Sequence, residues 1–163
     1  MTSTTRRIAS VAALPGHRLA VVWQDGGEAA VDLTGVVQRL DYFAGLKDEA
    51  AFARVAVVDY GTGIEWENGI DYAADSIEML ASEQAGMRAA DLAAWKREME
   101  LSLAEMADIF GVSVSTLKNY LAGHQTIPIA MQVACAAMRR DRTVLYARFR
   151  PRVAGRPRKS VGV

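Results

Sequence analysis

LSLAEMADIFGVSVSTLKNYLAG, residues 101–123, is the stretch on which the fold of the C-terminal half turns. It contains two complete helix specifications in twenty-three positions. Ser102-Leu103-Ala104-Glu105 has the form of a capping box, in which the serine hydroxyl takes a backbone N–H and the glutamate reaches back to the cap. Met106, Ala107 and Phe110 then define an inward face. Gly111 ends the run, because a tight reversal needs a left-handed residue there. Ser113 opens a second helix that turns Leu117, Tyr120 and Leu121 inward and stops at Gly123.

Two more helices flank this pair. Before it, Leu92, Trp95 and Met99 recur at helical spacing. After it, Thr126 and Pro128 open a helix with proline expected at its first position and with Met131, Ala134, Cys135 and Met138 inward. From residue 139 the chain is arginine-rich and carries Pro151 and Pro157, which reads as an extended, flexible tail, with residues 144–149 able to add one short strand or helix.

The stretch resembles the λ-repressor/Cro-type helix-turn-helix. The matching features are Ser102 opening the first helix, Ala107 at the crossing, Gly111 in the turn, apolar Val112, polar Ser115 and Thr116, apolar Leu117 and terminal Gly123. Two helices joined by so short a turn cross steeply, and the second projects its first turns outward. The resemblance spans about residues 88–139 and implies double-stranded DNA as partner. Carried over by position, Ser113, Val114, Ser115, Thr116, Lys118 and Asn119 face base edges or phosphates. Ser102 and Leu103 stand at the other helix start, where backbone N–H groups can hold a phosphate. His124 and Gln125 stand where the family has a further backbone contact. Leu103 departs from a common glutamine and Val114 from a polar base-reader, although a valine can pack on thymine methyls.

Net charge is zero over the whole chain, but its distribution is not. Residues 1–87 hold 6 Lys/Arg against 13 Asp/Glu, a net of −7; residues 88–163 hold 13 against 6, a net of +7. That asymmetry suits a polyanion at one half only. Yet Lys118 is the one basic residue between Glu98 and Arg139, and phosphate neutralisation carries much of DNA affinity. The tail supplies the remainder: Gly155-Arg156-Pro157-Arg158-Lys159 is similar to an AT-hook core, whose Arg156, Arg158 and Lys159 would lie in a narrow minor groove.

The N-terminal half follows another period. Leu19, Val21 and Trp23 alternate as a strand, Asp25-Gly26-Gly27 turns, and Ala29, Val31 and Leu33 return. Thr34 is expected to cap a short helix carrying Val36, Val37 and Leu40. Val55 and Val57, then Ile64 and Trp66, flank a second hairpin, and Ile77, Met79 and Leu80 begin a helix that fades near Gly86. With no strand–helix–strand repeat, pairing should be antiparallel. Residues 8–80 resemble a small bacterial family of unknown function, found alone or fused to a helix-turn-helix. The likeness rests on residues 14–19, Asp25-Gly26, residues 31–33, Phe43, Leu46, Phe52, Trp66-Glu67-Asn68-Gly69-Ile70-Asp71 and Asp75; it implies no activity. Glu67 and Ala74 stand where that segment usually has prolines.

The expected fold class is therefore α+β: a small antiparallel-sheet domain with short helices (1–84), an all-α domain of four to five helices, λ-repressor-like (87–140), and a basic tail (141–163). Asp71, Asp75, Glu65 and Glu67 match no metal-ligand spacing, and turn formation and capping explain the two aspartates more simply. No nucleophile and base converge, so no catalysis, metal or cofactor is expected. His17 reads as a turn residue, Cys135 as core, and Trp23 and Trp66 as core or dimer contacts. A lone cysteine and the lack of a long apolar run point to a cytoplasmic protein away from membranes. The functional expectation is a homodimeric transcriptional regulator; the alternative is a protein-interaction or antitoxin-like module whose N-terminal domain binds a partner protein.

Overall fold

The computed structural model describes residues 6–152. The chain divides into two compact units, Met1–Ala85 and Gly86–Val163.

The first unit is built on two small antiparallel sheets. One has the order β1 (Ile8–Leu14), β2 (Arg18–Trp23), β3 (Glu28–Asp32); the other β4 (Val55–Val58), β5 (Gly63–Trp66), β6 (Asp71–Ala73). The alternation in β2 sets its register: Leu19 faces Val31 and Val21 faces Ala29, so one face of the pleat is dry. In the second hairpin Val57 pairs with Ile64 and Val55 with Trp66. Strands β1 and β6 were not legible as strands. Between β3 and β4 lie α1 (Thr34–Arg39), a 3-10 turn and α2 (Glu49–Phe52); α3 (Ala74–Ala85) closes the unit.

Two details differ from the sequence expectation. Thr34 is the first residue of α1, not its cap: its N–H donates to Oδ1 of Asp32 (2.8 Å) and its hydroxyl to the carbonyl of Gly16. Leu40 lies beyond the end of α1 and is exposed, because the helix ends before it can turn inward. Met79 is exposed too, while Ile77 of the same helix is buried. The core is formed by Leu19, Val31, Leu33, Leu46, Phe52, Ile64, Trp66 and Ile77 among others. The Trp66 indole N–H donates to the carbonyl of Phe52 at 2.8 Å, so the buried ring leaves no polar atom unpaired. At the β4–β5 turn Gly61 takes φ +88° hard against Ile8, where a Cβ would stand 2.3 Å from the Ile8 carbonyl oxygen.

The second unit is all-helical among its described residues: α4 (Ala89–Glu98), α5 (Leu103–Phe110), α6 (Val114–Leu121), α7 (Ile129–Arg140) and α8 (Arg142–Tyr146). Leu92, Trp95, Met106, Ala107, Leu117, Met131, Cys135 and Met138 make its core. Pro128 precedes α7 instead of starting it; its ψ of 143° is extended, and the helix begins at Ile129. Gln132, the one polar interruption of the apolar run, uses its amide twice: Nε2 donates to the Ile127 carbonyl and Oε1 accepts from the Met87 N–H. The tail opens with a short helix, one of the two forms expected of residues 144–149, begun two residues earlier. Residues 142–146 are helical, capped by Asp141, whose Oδ1 accepts from Thr143 N–H at 2.8 Å, and Leu145 is buried. No helix of the described residues is long and apolar enough to cross a membrane.

Candidate nucleic-acid interface

Local chemistry fixes the α5–α6 pair at both ends of each helix. Ser102 Oγ accepts from Glu105 N–H (3.2 Å) while Glu105 Oε2 accepts from Ser102 N–H (2.8 Å), a reciprocal box. At the far end Gly111 has φ 65°; its N–H bonds the Asp108 carbonyl, and Val112 N–H bonds that of Ala107. These are the two bonds of a Schellman stop. After Val112, Ser113 Oγ accepts from Thr116 N–H at 3.0 Å and meets the Thr116 hydroxyl at 2.8 Å. Helix α6 ends the same way, Gly123 N–H on Tyr120 and His124 N–H on Asn119. Buried Ala107 and Leu117, with half-buried Val112, fill the angle between the helices.

What this frame exposes is the first turn of α6. Ser113, Val114, Ser115 and Lys118 are exposed, and Thr116 and Asn119 half-buried. Thr116 N–H goes to Ser113 Oγ and Leu117 N–H to the Ser113 carbonyl. The N–H groups of Val114 and Ser115, at the first two helical positions, therefore have no partner within the helix. They point outward with the positive end of the helix dipole. His124 and Gln125 are exposed beyond the end of α6; Ser102 is exposed and Leu103 half-buried against the core. Arg156, Arg158 and Lys159 lie outside the described residues.

Charge in this unit is less free than the sequence total suggests. Arg139 and Arg142 both pair with Glu98, at 2.9 and 3.4 Å, and Arg88 pairs with Asp91. Helix α5 carries two acids, Glu105 and Asp108. Hydrogen bonds from the Ser102 backbone and hydroxyl hold the Glu105 carboxyl below its ordinary range. The Arg152 guanidinium does the same for Asp108, gripping it through Nε (2.6 Å) and Nη2 (2.7 Å). Sequence reasoning missed this pair, since nothing periodic links positions forty-four apart.

In the first unit, the segment 66–71 is explained by packing and turn geometry. Asn68 Oδ1 accepts from Ile70 N–H, Gly69 takes φ 81°, and the Tyr42 hydroxyl donates to Asp71 Oδ1 at 2.5 Å. Among the described residues no three His, Cys, Asp or Glu side chains group as a metal site. Residues 8–83 match the family model described as protein of unknown function, DUF2442. No curated protein matches the chain. Among solved structures, the chain is similar to a Nitrosomonas europaea protein described as a "putative DNA binding protein", with 26% identity, 94% of each chain covered and a TM-score of 0.47.

His17 sits in the β1–β2 turn with φ 56°, its Nε2 3.1 Å from the Lys47 carbonyl. Cys135 is buried, and burial pushes its thiol up to about 12. Trp23 and Trp66 are both core residues, Trp23 lying under the Arg6 guanidinium at 4.7 Å.

Proposed function

We propose that the protein binds double-stranded DNA sequence-specifically through α5 and α6 acting as a helix-turn-helix, and that it serves as a transcriptional regulator. One observation carries the reading. A three-residue turn, closed by Gly111 and Ser113, leaves the first turn of α6 exposed with two outward N–H groups and the Ser115 and Lys118 side chains. That is what a helix laid in a major groove requires. In this role Ser115 and Asn119 read base edges, Asn suiting adenine, while Val114 packs on a thymine methyl. Lys118 and the N–H groups of Val114 and Ser115 take phosphates, which fix register without reading sequence.

The reading assigns no catalytic step, metal or cofactor; the chain is a binding protein rather than an enzyme. It includes a homodimer, because paired modules meet two-fold sites. The N-terminal unit then supplies dimerisation or a protein contact. A second reading, a protein-interaction or antitoxin-like module whose N-terminal unit binds a partner protein, is favoured by the scarcity of basic side chains on the helix pair, where Lys118 is the one Lys or Arg of α5 and α6.

Selection of bound sequences from random duplexes at stated salt tests the reading. Asn119→Ala should then relax preference at one base position and cost about 1–3 kcal/mol. Lys118→Ala should weaken all sequences alike and make the salt slope shallower by about 0.9. If no sequence is enriched, or if both variants bind the selected site like the parent, the DNA reading fails; a neighbour-encoded protein that co-purifies stoichiometrically would then favour the second.

A further inference from the structure

Free positive charge is scarce on the helix pair. Lys118 is the one Lys or Arg of α5 and α6, and Arg88, Arg139, Arg142 and Arg152 are each paired with an acid. Residues 141–152 change that balance. Arg142 joins Arg139 on Glu98 of α4; Leu145 is buried; Phe149 packs against the core; and Arg152 grips Asp108 of α5 through Nε and Nη2. These residues form a strap from α4 to α5. Its last anchor is at the start of α5, where the Glu105 carboxylate accepts from Ser102 N–H through Oε2 (2.8 Å) and from Arg152 N–H through Oε1 (3.3 Å). Between the anchors Arg148 and Arg150 are exposed. Among the described residues neither has an acidic partner; Arg150 Nη1 donates to the Phe149 carbonyl at 2.7 Å.

We propose that the strap carries a second nucleic-acid contact, in which Arg148 and Arg150 hold phosphodiester groups of the duplex backbone beside α5. This rests on the DNA reading and adds to it a surface that reads no sequence. Covalent geometry sets the place. Arg150 lies two residues from Arg152 and Arg148 four, so their Cα atoms stand within about 7 and 14 Å of the residue that grips α5. Leu145 and Phe149 on one side and Arg152 on the other fix the backbone between them, so less chain freedom is lost on binding than from a loose tail. A planar guanidinium fits a phosphate through two N–H groups, and one without an acid need break no ion pair to do so. The Arg152 grip also offsets Asp108, the exposed acid of α5 that would otherwise repel the same backbone. Phosphate neutralisation is what the helix pair lacks, and it carries much of the affinity for DNA.

Arg148→Ala with Arg150→Ala in the full chain is the decisive variant, measured by fluorescence anisotropy across salt on the selected duplex and on an unrelated duplex of equal length. Two phosphates lost should make the slope of log affinity against log salt shallower by about 1.8, at roughly 0.9 each. The variant's deficit should then shrink about twelvefold between about 50 and 200 mM salt. The loss should be equal on both duplexes and leave their ratio unchanged, whereas Asn119→Ala lowers that ratio. Arg148→Lys with Arg150→Lys keeps both charges and should keep the parent slope. A parent slope in the alanine variant, with the selected duplex still preferred, overturns the strap contact alone. A loss confined to the selected duplex overturns its assignment to the backbone. A lysine variant as shallow as the alanine one overturns the electrostatic account. If no duplex is preferred and Asn119→Ala changes nothing, the helix-turn-helix reading has failed, and a shallower slope on the unrelated duplex still supports the strap. A parent that binds no duplex overturns both.

Discussion

Replacing Ser113 separates what the α6 cap does for the fold from what it does for binding. Its hydroxyl accepts from Thr116 N–H (3.0 Å) and also holds the Thr116 hydroxyl (2.8 Å). Ser113→Ala removes both contacts. Loss of such a cap costs about 1 kcal/mol, within a range of roughly 0.5–2. For a unit of this size that lowers the melting temperature by about 4–8 °C per kcal/mol. Ser113→Asp keeps an acceptor in place and adds a charge that the helix dipole favours, so thermal stability should be held or rise slightly. For DNA the order reverses. A carboxylate about 4 Å from a phosphate is repelled by about 1 kcal/mol even at the dielectric of water, and more where water is thinned. Ser113→Asp should therefore bind at least about fivefold more weakly at low salt, with the deficit shrinking as salt screens it. Circular-dichroism melts and fluorescence anisotropy on one labelled duplex measure both. Parent-like DNA affinity for Ser113→Asp would refute the placement of the α6 N-terminus on DNA, and an unchanged melt for Ser113→Ala would refute the cap.

Two further outcomes follow from burial. Gly61→Ala should destabilise the first unit by about 2–4 kcal/mol, combining a left-handed alanine with overpacking against the Ile8 backbone; denaturant titration checks it, and a loss below 0.5 kcal/mol would contradict the close approach. Cys135 should not react with a disulfide reagent at pH 8 until the chain is unfolded, since burial raises its thiol from 9.0 to about 12. The sign follows: this contribution to stability is complete below pH 9 and is lost as pH rises from 9 through about 12. Prompt labelling of the native protein would show that the thiol is reached.

Legibility in the sequence tracked the range of the interactions. Ser102 with Glu105, Ser113 with Thr116, and the left-handed Gly111 and Gly123 act within three or four residues, and the residue types alone specify them. The β2–β3 hairpin was legible because Leu19, Val21 and Trp23 alternate cleanly. Strand β1 was not, because IASVAAL is rich in alanine and its register slips between Ile8 and Ser10, which blurs the period. Strand β6 has only three residues, too few for a pattern. Residues 141–152 were legible only in part, for a different reason. Arginine and proline content suggested a solvated tail, whereas Asp141 as a cap and two well-spaced apolar anchors, Leu145 and Phe149, outweigh composition. The Arg152–Asp108 pair depends on the chain having already folded back, so no local signal announces it.

The buried indoles have a consequence for observation. Trp66 gives its N–H to the Phe52 carbonyl in the first unit, and Trp95 gives its N–H to the Cys135 carbonyl in the second. Trp95 is the one tryptophan after residue 85. A chain in which Trp23 and Trp66 are replaced by phenylalanine therefore emits from the helical unit alone. The reciprocal Trp95→Phe chain emits from the sheet-bearing unit. Both rings are sealed from water, so each should emit in the blue and shift red only when its own unit opens. The protein carries two internal lamps, and the order in which they change colour on heating tells which unit yields first.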